Sequence, residues 1–390
     1  MIDLNSILHK VQKPARYTGG EWNAVVKNWE RMPIRIALSY PDTYEIGMSN
    51  LAIPILYELL NRQSDTLAER VFTPWVDMIM EMKANNIPLF SLESKRPLTD
   101  FNVIGFSLGH ELTYTNILTM LELAGLPVLA AERNENHPLI ITGGTCVLNP
   151  EPLADFIDLF VIGDGEEVML EFLDVFRTAR ANGCTRELLL RKMATISGIY
   201  VPRFYKDEYH DNGTLKSLTP TVPEAKPTIK RRVVTELPTP VIRPVVPYIE
   251  AVHDRGAIEI QRGCTRGCRV CQAGIIYRPV RQRKQDEIEK AVGDIIANCG
   301  YDEVSLVSLS TGDYTGIDKL VANLMHLCPD VALSLPSLHI NSFSLELVEA
   351  FSGRKKMGLT FAPEAGSERL RRVINKNLTE SEIMETYTAV

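Results

Sequence analysis

The chain has 390 residues, 45% of them hydrophobic and 23% charged, a balance that suits a globular protein of two or three domains and excludes disordered, collagen-like and disulfide-framework chains. Forty-two Lys and Arg against 49 Asp and Glu leave a formal charge of -7, so no whole-chain attraction to nucleic acid or anionic lipid follows. No apolar run approaches the roughly 18 to 20 residues of a membrane helix, and the first residues lack a secretory pattern. A cytoplasmic protein without membrane contact is expected.

Residues 1–33 have no period and read as an extension lying on the first domain. From Ile34 short apolar runs alternate with helical stretches, the signature of parallel α/β structure. Strands are predicted at 34–40, 102–108, 139–144 and 158–165, and helices at 51–62, 75–85, 112–124 and 166–181. Residues 34–217 therefore read as a Rossmann-like parallel sheet domain. Ligands of such sheets bind at the carboxyl ends of the strands. Here that rim comprises Asp42, Tyr44 and Gly47, then Ser107, then Gly143 and Gly144, then Gly163. Tight turns explain any one of these glycines; together on one rim they favour a ligand.

Residues 218–250 carry seven prolines, at 220, 223, 227, 238, 240, 244 and 247, and the basic run Lys230-Arg231-Arg232. They read as a semi-rigid linker with a solvated charge run. From residue 251 a second βα series begins, with strands at 257–263, 303–310, 331–337 and 357–363 and helices at 286–298, 317–327, 344–351, 366–374 and 381–390. Repeated βα units predict part of a β/α barrel. Four units fit, and a helical pattern runs to the last residue, so a C-terminally incomplete barrel is expected. Its open edge predicts a partner, either the missing barrel fragment or another protein.

Of seven cysteines, Cys264, Cys268 and Cys271 fall within eight residues, directly after the first strand of this series. Thiolates at that density select zinc or iron-sulfur clusters. Structural zinc normally takes four protein ligands, and only His253 lies near, ahead of the strand. Three cysteines suit a 4Fe-4S cube with one open iron. Gly263 and Gly267 let the loop wrap closely, and Arg262, Arg266 and Arg269 offset cluster charge.

Cys264-Thr-Arg-Gly-Cys268-Arg-Val-Cys271 resembles the CxxxCxxC signature of radical SAM enzymes. In that family the open iron binds S-adenosylmethionine, which is cleaved reductively to a 5′-deoxyadenosyl radical. The resemblance implies Cys264, Cys268 and Cys271 as cluster ligands and a separate reductant. Val270 stands where many members carry an aromatic residue. Later segments, SLSTGDY, SLPSLHINSF and FAPEAGSERLRRVINK, look like successive strand ends of a radical SAM barrel of the methylthiotransferase-like branch. By that likeness Ser308, Ser310, Asp313, Ser334, Pro336, Glu364 and Ser367 would surround SAM; helix capping is the plain alternative for Asp313 and Ser367.

The first domain resembles the cobalamin-binding domain that precedes the barrel in many radical SAM proteins. Its Asp42-Thr-Tyr44-Glu-Ile-Gly47 keeps the spacing of the DxHxxG motif, with Tyr44 in place of the cobalt-binding histidine. Either cobalamin is held without a protein lower ligand, or the fold persists without the cofactor. The first implies cobalamin-dependent methyl transfer, the second RNA or protein modification of the methylthiotransferase kind. A non-catalytic cluster-bearing scaffold and a zinc-dependent regulator are the rival readings. The substrate is not legible.

Overall fold

The computed structural model describes residues 4–340 and 361–389, which divide into two units. The first comprises residues up to Val234 together with Val245–Val252, the second Thr235–Pro244 together with the residues from His253 onward. Residues 218–250, read above as one linker, are thus shared between the units.

In the first unit, β1 (Ile34–Tyr40), β2 (Thr66–Phe72), β3 (Val103–Ser107), β4 (Leu139–Gly143), β5 (Leu159–Val161) and β6 (Ile199–Tyr200) form one sheet in the order β2-β1-β3-β4-β5-β6. All neighbours are parallel except β5 and β6. The four expected strands are present, although the fourth is only three residues long. Helices Ala52–Asn61, Val76–Ala84, Tyr114–Leu123 and Gly165–Ala181 supply the covering layers. Apolar side chains fill both faces of the sheet, as a parallel sheet covered on both sides requires.

Strand β2 is absent from the sequence reading for a physical reason. Its Thr-Leu-Ala-Glu-Arg-Val-Phe is buried throughout but breaks the apolar run with two charges. Glu69 accepts from the hydroxyls of Ser91 and Ser94 at 2.5 and 2.6 Å. Arg70 donates to Glu21 at 2.8 Å and Glu93 at 2.7 Å, all three side chains at most 3% exposed. Buried charges persist only when paired in this way.

The N-terminal segment belongs to the same core. Leu4, Ile7, Val11 and Tyr17 are buried in it, and Glu21 supplies half of Arg70's charge balance. The proline-rich segment packs as well. Strand β8 (Leu215–Pro220) pairs antiparallel with β7 (Tyr205–Tyr209), Ala225 and Val234 are buried, and Trp22 bridges Val246.

In the second unit β9 (Gly256–Glu259), β12 (Glu303–Val307) and β13 (Ala332–Ser334) run parallel in the order β13-β12-β9. Between the first two lie β10 (Gln261–Arg262) and β11 (Arg281–Gln282), a short antiparallel ribbon. Helices Gln285–Cys299 and Ile317–Leu327 pack their apolar stripes on the parallel strands. Helices Glu368–Val373 and Glu380–Ala389 follow. The expected helix at 344–351 and most of the strand at 357–363 lie outside the described residues; Phe361 forms a parallel bridge with Leu338. No helix among the described residues is long and apolar enough to cross a membrane.

Candidate functional site

The cysteine loop leaves the carboxyl end of β9, and the β10–β11 ribbon closes it at its base. Gln282 Nε2 donates to Gln261 Oε1 at 2.7 Å across that ribbon. Gly263 has φ +92°, and a Cβ there would sit 2.6 Å from the Tyr277 carbonyl oxygen and 2.8 Å from that of Pro279, so only glycine lets the two arms of the loop meet.

Cys264, Cys268 and Cys271 are free and half-buried. Backbone N–H groups point at two of the sulfurs, that of Arg266 at Cys264 (3.4 Å) and that of Gly274 at Cys271 (3.2 Å). Burial pushes the Cys264 thiol pKa up, and Asp313 and the other two thiols add to the rise against the pull of the Arg266 N–H. A four-iron cube takes one thiolate per corner. The donor set of three soft thiolates with N–H groups aimed at sulfur fits that group.

Two other segments anchor the loop. Arg266 Nε donates to Asp313 Oδ2 at 2.6 Å, and a second guanidinium nitrogen bonds Oδ1. Ser310 Oγ donates to the same carboxylate at 2.7 Å. Burial works to raise the Asp313 pKa, but Arg266 and Ser310 outweigh it and hold it below the ordinary value. From the other side Asn375 Nδ2 donates to the carbonyls of Gly267 at 3.0 Å and Arg266 at 3.4 Å. The Arg269 N–H donates to Ile374 O at 2.8 Å, and its guanidinium bonds the Val373 carbonyl.

The remaining expected SAM contacts divide. Ser308 is buried, its hydroxyl 3.0 Å from that of Thr311, and Ser308, Ser310 and Asp313 all follow β12 beside the cysteine loop. Ser334 lies elsewhere: its hydroxyl accepts from Arg255 at 3.2 Å, and Arg255 precedes β9, at the end of the sheet opposite the loop. Pro336 lies just beyond β13. Glu364 has φ +67° and pairs with Lys376 at 3.1 Å. Ser367 is the N-cap of helix Glu368–Val373, accepting from the Leu370 N–H. Its plain capping role is the one the structure displays, whereas Asp313 clamps the loop. The arginines expected to offset cluster charge are engaged with protein groups: Arg262 bonds Glu259 at 2.8 Å, Arg266 bonds Asp313 and Arg269 a carbonyl.

The rim of the first unit also differs from expectation. Tyr44 does not project from it. The side chain is 2% exposed, stacks edge-on against Phe72 and donates its hydroxyl to Glu21 Oε1 at 3.0 Å; burial and the Glu21 charge push its pKa up. Gly47 is required by packing, because a Cβ would lie 2.2 Å from the Phe72 ring. Gly144, at φ +111°, sits against the backbone of Leu108. Gly163, also at φ +111°, is crossed by the proline-rich segment. Arg232 N–H donates to Ile162 O at 2.8 Å, Asp164 N–H donates to Arg232 O at 3.0 Å, and the Arg232 side chain pairs with Glu171 and Glu167. The carboxyl end of β5 is therefore taken by the chain's own backbone. Asp42, whose carboxylate accepts from the Thr43 N–H at 2.7 Å, remains at the carboxyl ends of β1, β3 and β4 with Ser107, Gly143 and Gly144. With Tyr44 turned inward, none of Asp42, Ser107, Gly143 and Gly144 offers an imidazole at the position the DxHxxG spacing assigns to the cobalt ligand.

Residues 52–202 match the N-terminal domain of radical SAM proteins, and residues 258–390 match the radical SAM superfamily domain. The chain belongs to the radical SAM superfamily. It is 27% identical over 359 residues to an uncharacterised protein of Methanocaldococcus jannaschii, covering 90% of this chain and 65% of that protein's length. It is 25% identical over 173 residues to the ribosomal protein uS12 methylthiotransferase RimO of Thermosipho melanesiensis, 41% of this chain and 39% of that one. In fold it resembles the radical S-adenosylmethionine methyltransferase TsrM from Kitasatospora setae, solved with cobalamin and a 4Fe-4S cluster bound. The TM-score is 0.57 at 13% identity, over 92% of this chain and 65% of TsrM.

Sequence reasoning missed the anchors of this radical SAM loop. Asn375 left one trace, since Asn is among the few residues that tolerate its φ of +59°. The pairing of Arg266 with Asp313 spans 47 positions and left none.

Proposed function

We propose that the chain is a radical SAM enzyme in which Cys264, Cys268 and Cys271 hold three irons of a 4Fe-4S cluster and leave the fourth for SAM. The observation that carries this is the loop itself: three free thiols, N–H groups aimed at two of them, and a backbone pinned from both sides. The cluster, when bound, supplies the electron that cleaves SAM reductively to a 5′-deoxyadenosyl radical. The protein's own work is positioning. Asp313 fixes Arg266, Asn375 fixes the turn at Gly267, and Ser308 and Ser310 place hydroxyls beside the loop for SAM's polar groups.

In the first unit the residues at the ends of β1, β3 and β4 would hold cobalamin by its periphery, with Tyr44 turned inward and no side chain bound to cobalt. That state favours methyl transfer, in keeping with the TsrM-like fold. The likeness to RimO supports a second reading, modification of a macromolecule of the methylthiotransferase kind without cobalamin.

Protein purified without oxygen, with cobalamin supplied during expression and free cofactor removed, tests both. The proposal expects about four irons and acid-labile sulfide per chain, formation of 5′-deoxyadenosine from SAM under reduction, and loss of both in the Cys264→Ala, Cys268→Ala and Cys271→Ala variants. Zinc without sulfide, or a cluster that leaves SAM intact, overturns it. Retained cobalamin selects methyl transfer; a cluster without cobalamin selects the second reading.

A further inference from the structure

Adding an electron to a cluster already held by three thiolates deepens a negative charge, so a buried positive charge beside it favours the reduced form. Residues 260–285 carry six Arg, one Lys and no Asp or Glu, yet little of that charge is free to act. Arg262 is cancelled by Glu259 and Arg266 by Asp313. Arg269, Arg278 and Lys284 are exposed, where water and salt screen them. Arg283 lies 3.8 Å from Glu287.

Arg371, on helix Glu368–Val373, is different. It is 3% exposed. Its Nε donates to the Leu378 carbonyl at 2.8 Å, and Nη1 donates to those of Ala365 and Gly366, both at 3.0 Å. Among the described residues it pairs with no carboxylate. Carbonyl oxygens satisfy its donors and leave its full charge in place, which is costly in a buried site unless a counter-charge arrives.

The fold places that charge at the grip on the cysteine loop. The Lys376 N–H donates to the Arg371 carbonyl at 2.8 Å and so closes the turn that carries Ile374 and Asn375. From this turn Asn375 reaches the carbonyls of Gly267 and Arg266, and Ile374 accepts from the Arg269 N–H. Arg371 is therefore one helical turn behind the residue that holds the stretch between Cys264 and Cys268.

We infer that Arg371 is the buried counter-charge of the cluster, a residue that makes it easier to reduce by balancing the added electron. No bond is made or broken in this role. The inference rests on the radical SAM reading and adds the side chain that tunes its cluster.

The experiment uses the full chain, reconstituted with iron and sulfide without oxygen. The midpoint potential of the cluster is measured by mediated titration with dithionite, followed by absorbance, with SAM absent. Arg371→Gln keeps hydrogen-bond donors and loses the charge, whereas Arg371→Lys keeps the charge and loses the planar fork of donors. In Arg371→Gln the ratio of reduced to oxidised cluster at a fixed potential falls about tenfold, which is about 59 mV for one electron. Arg371→Lys stays near the wild type. The shift persists at high salt, because a buried charge is little screened. Arg369→Gln, exposed and two positions away, shifts the potential little, and salt abolishes its effect.

Equal potentials in wild type and Arg371→Gln, at equal iron content, overturn the inference. Equal downward shifts in the Gln and Lys variants also overturn it, because they assign the effect to hydrogen bonding and not to charge. Loss of iron from both variants gives Arg371 a purely structural part and overturns it as well. A wild type that takes up no cluster overturns the radical SAM reading along with the inference. A wild-type cluster whose potential ignores Arg371 overturns the inference alone.

Discussion

Arg266 and Asp313 are joined by two charge-assisted hydrogen bonds, one of them 2.6 Å long, between the cysteine loop and the turn after β12. The pair is mostly buried, with side chains 27% and 18% exposed. It fixes the loop between two cysteines, so its effects should appear in cluster retention as well as in stability.

Removing the carboxylate in Asp313→Ala leaves Arg266 half-buried without its bidentate partner and costs about 1 to 3 kcal/mol. Urea unfolding of the second unit should register that loss, and iron content after gel filtration should fall. Asp313→Asn should retain more iron because it keeps one acceptor oxygen. Equal iron in all three proteins would remove Asp313 from the positioning of the loop.

The same pair sets a pH dependence. Asp313 has a folded pKa below its unfolded value, which lies near 3.9, so the unfolded chain binds the proton more readily. Its contribution to stability is complete above about pH 5 and is lost as pH falls through the lower folded value. The difference in unfolding midpoint between wild type and Asp313→Asn should be constant from pH 8 to about 5 and shrink below that.

In the first unit, Arg70→Ala leaves Glu21 and Glu93 buried together without a cation, at a cost of about 3 to 5 kcal/mol. The unfolding transition of that unit should drop accordingly or disappear. Arg70→Met combined with Glu21→Gln and Glu93→Gln should recover much of the loss, because the penalty comes from unpaired charge more than from lost volume.

Tyr44→Phe removes one buried hydrogen bond to the Glu21 carboxylate and should cost about 1.5 to 3 kcal/mol. If the protein retains cobalamin, Tyr44→Phe and Tyr44→His should both leave its absorption spectrum unchanged, since the side chain points into the core. A spectral shift to nitrogen ligation in Tyr44→His would place this side chain at the rim after all.

Gly163→Ala puts a Cβ 2.2 Å from the Arg232 carbonyl at φ +111°, so the segment crossing β5 must lift away. Limited proteolysis should then cut near Lys230-Arg231-Arg232, where the wild type resists. Gly213→Ala, at φ +79° with nothing near its Cβ, is the control for backbone strain alone.

The local pattern of the sequence determined most of the elements and the candidate metal ligands. IRIALSY is a strand over 34–40 because an apolar run bounded by polar residues has one low-energy use in a parallel sheet. Three cysteines spaced by four and three stand out as candidate cluster ligands because ligand type and number are written in the chain itself. The tertiary structure decided what depends on residues far apart. Strand β2 forms around Arg70 because Glu21 and Glu93 reach it from 49 positions before and 23 after. Tyr44 turns inward because Glu21 waits there, Gly163 is covered because Arg232 crosses it, and Asp313 becomes an anchor because Arg266 lies opposite. Each is a charge or hydrogen-bonding group whose partner is set by how the chain packs, and a local sequence pattern carries no information about that partner.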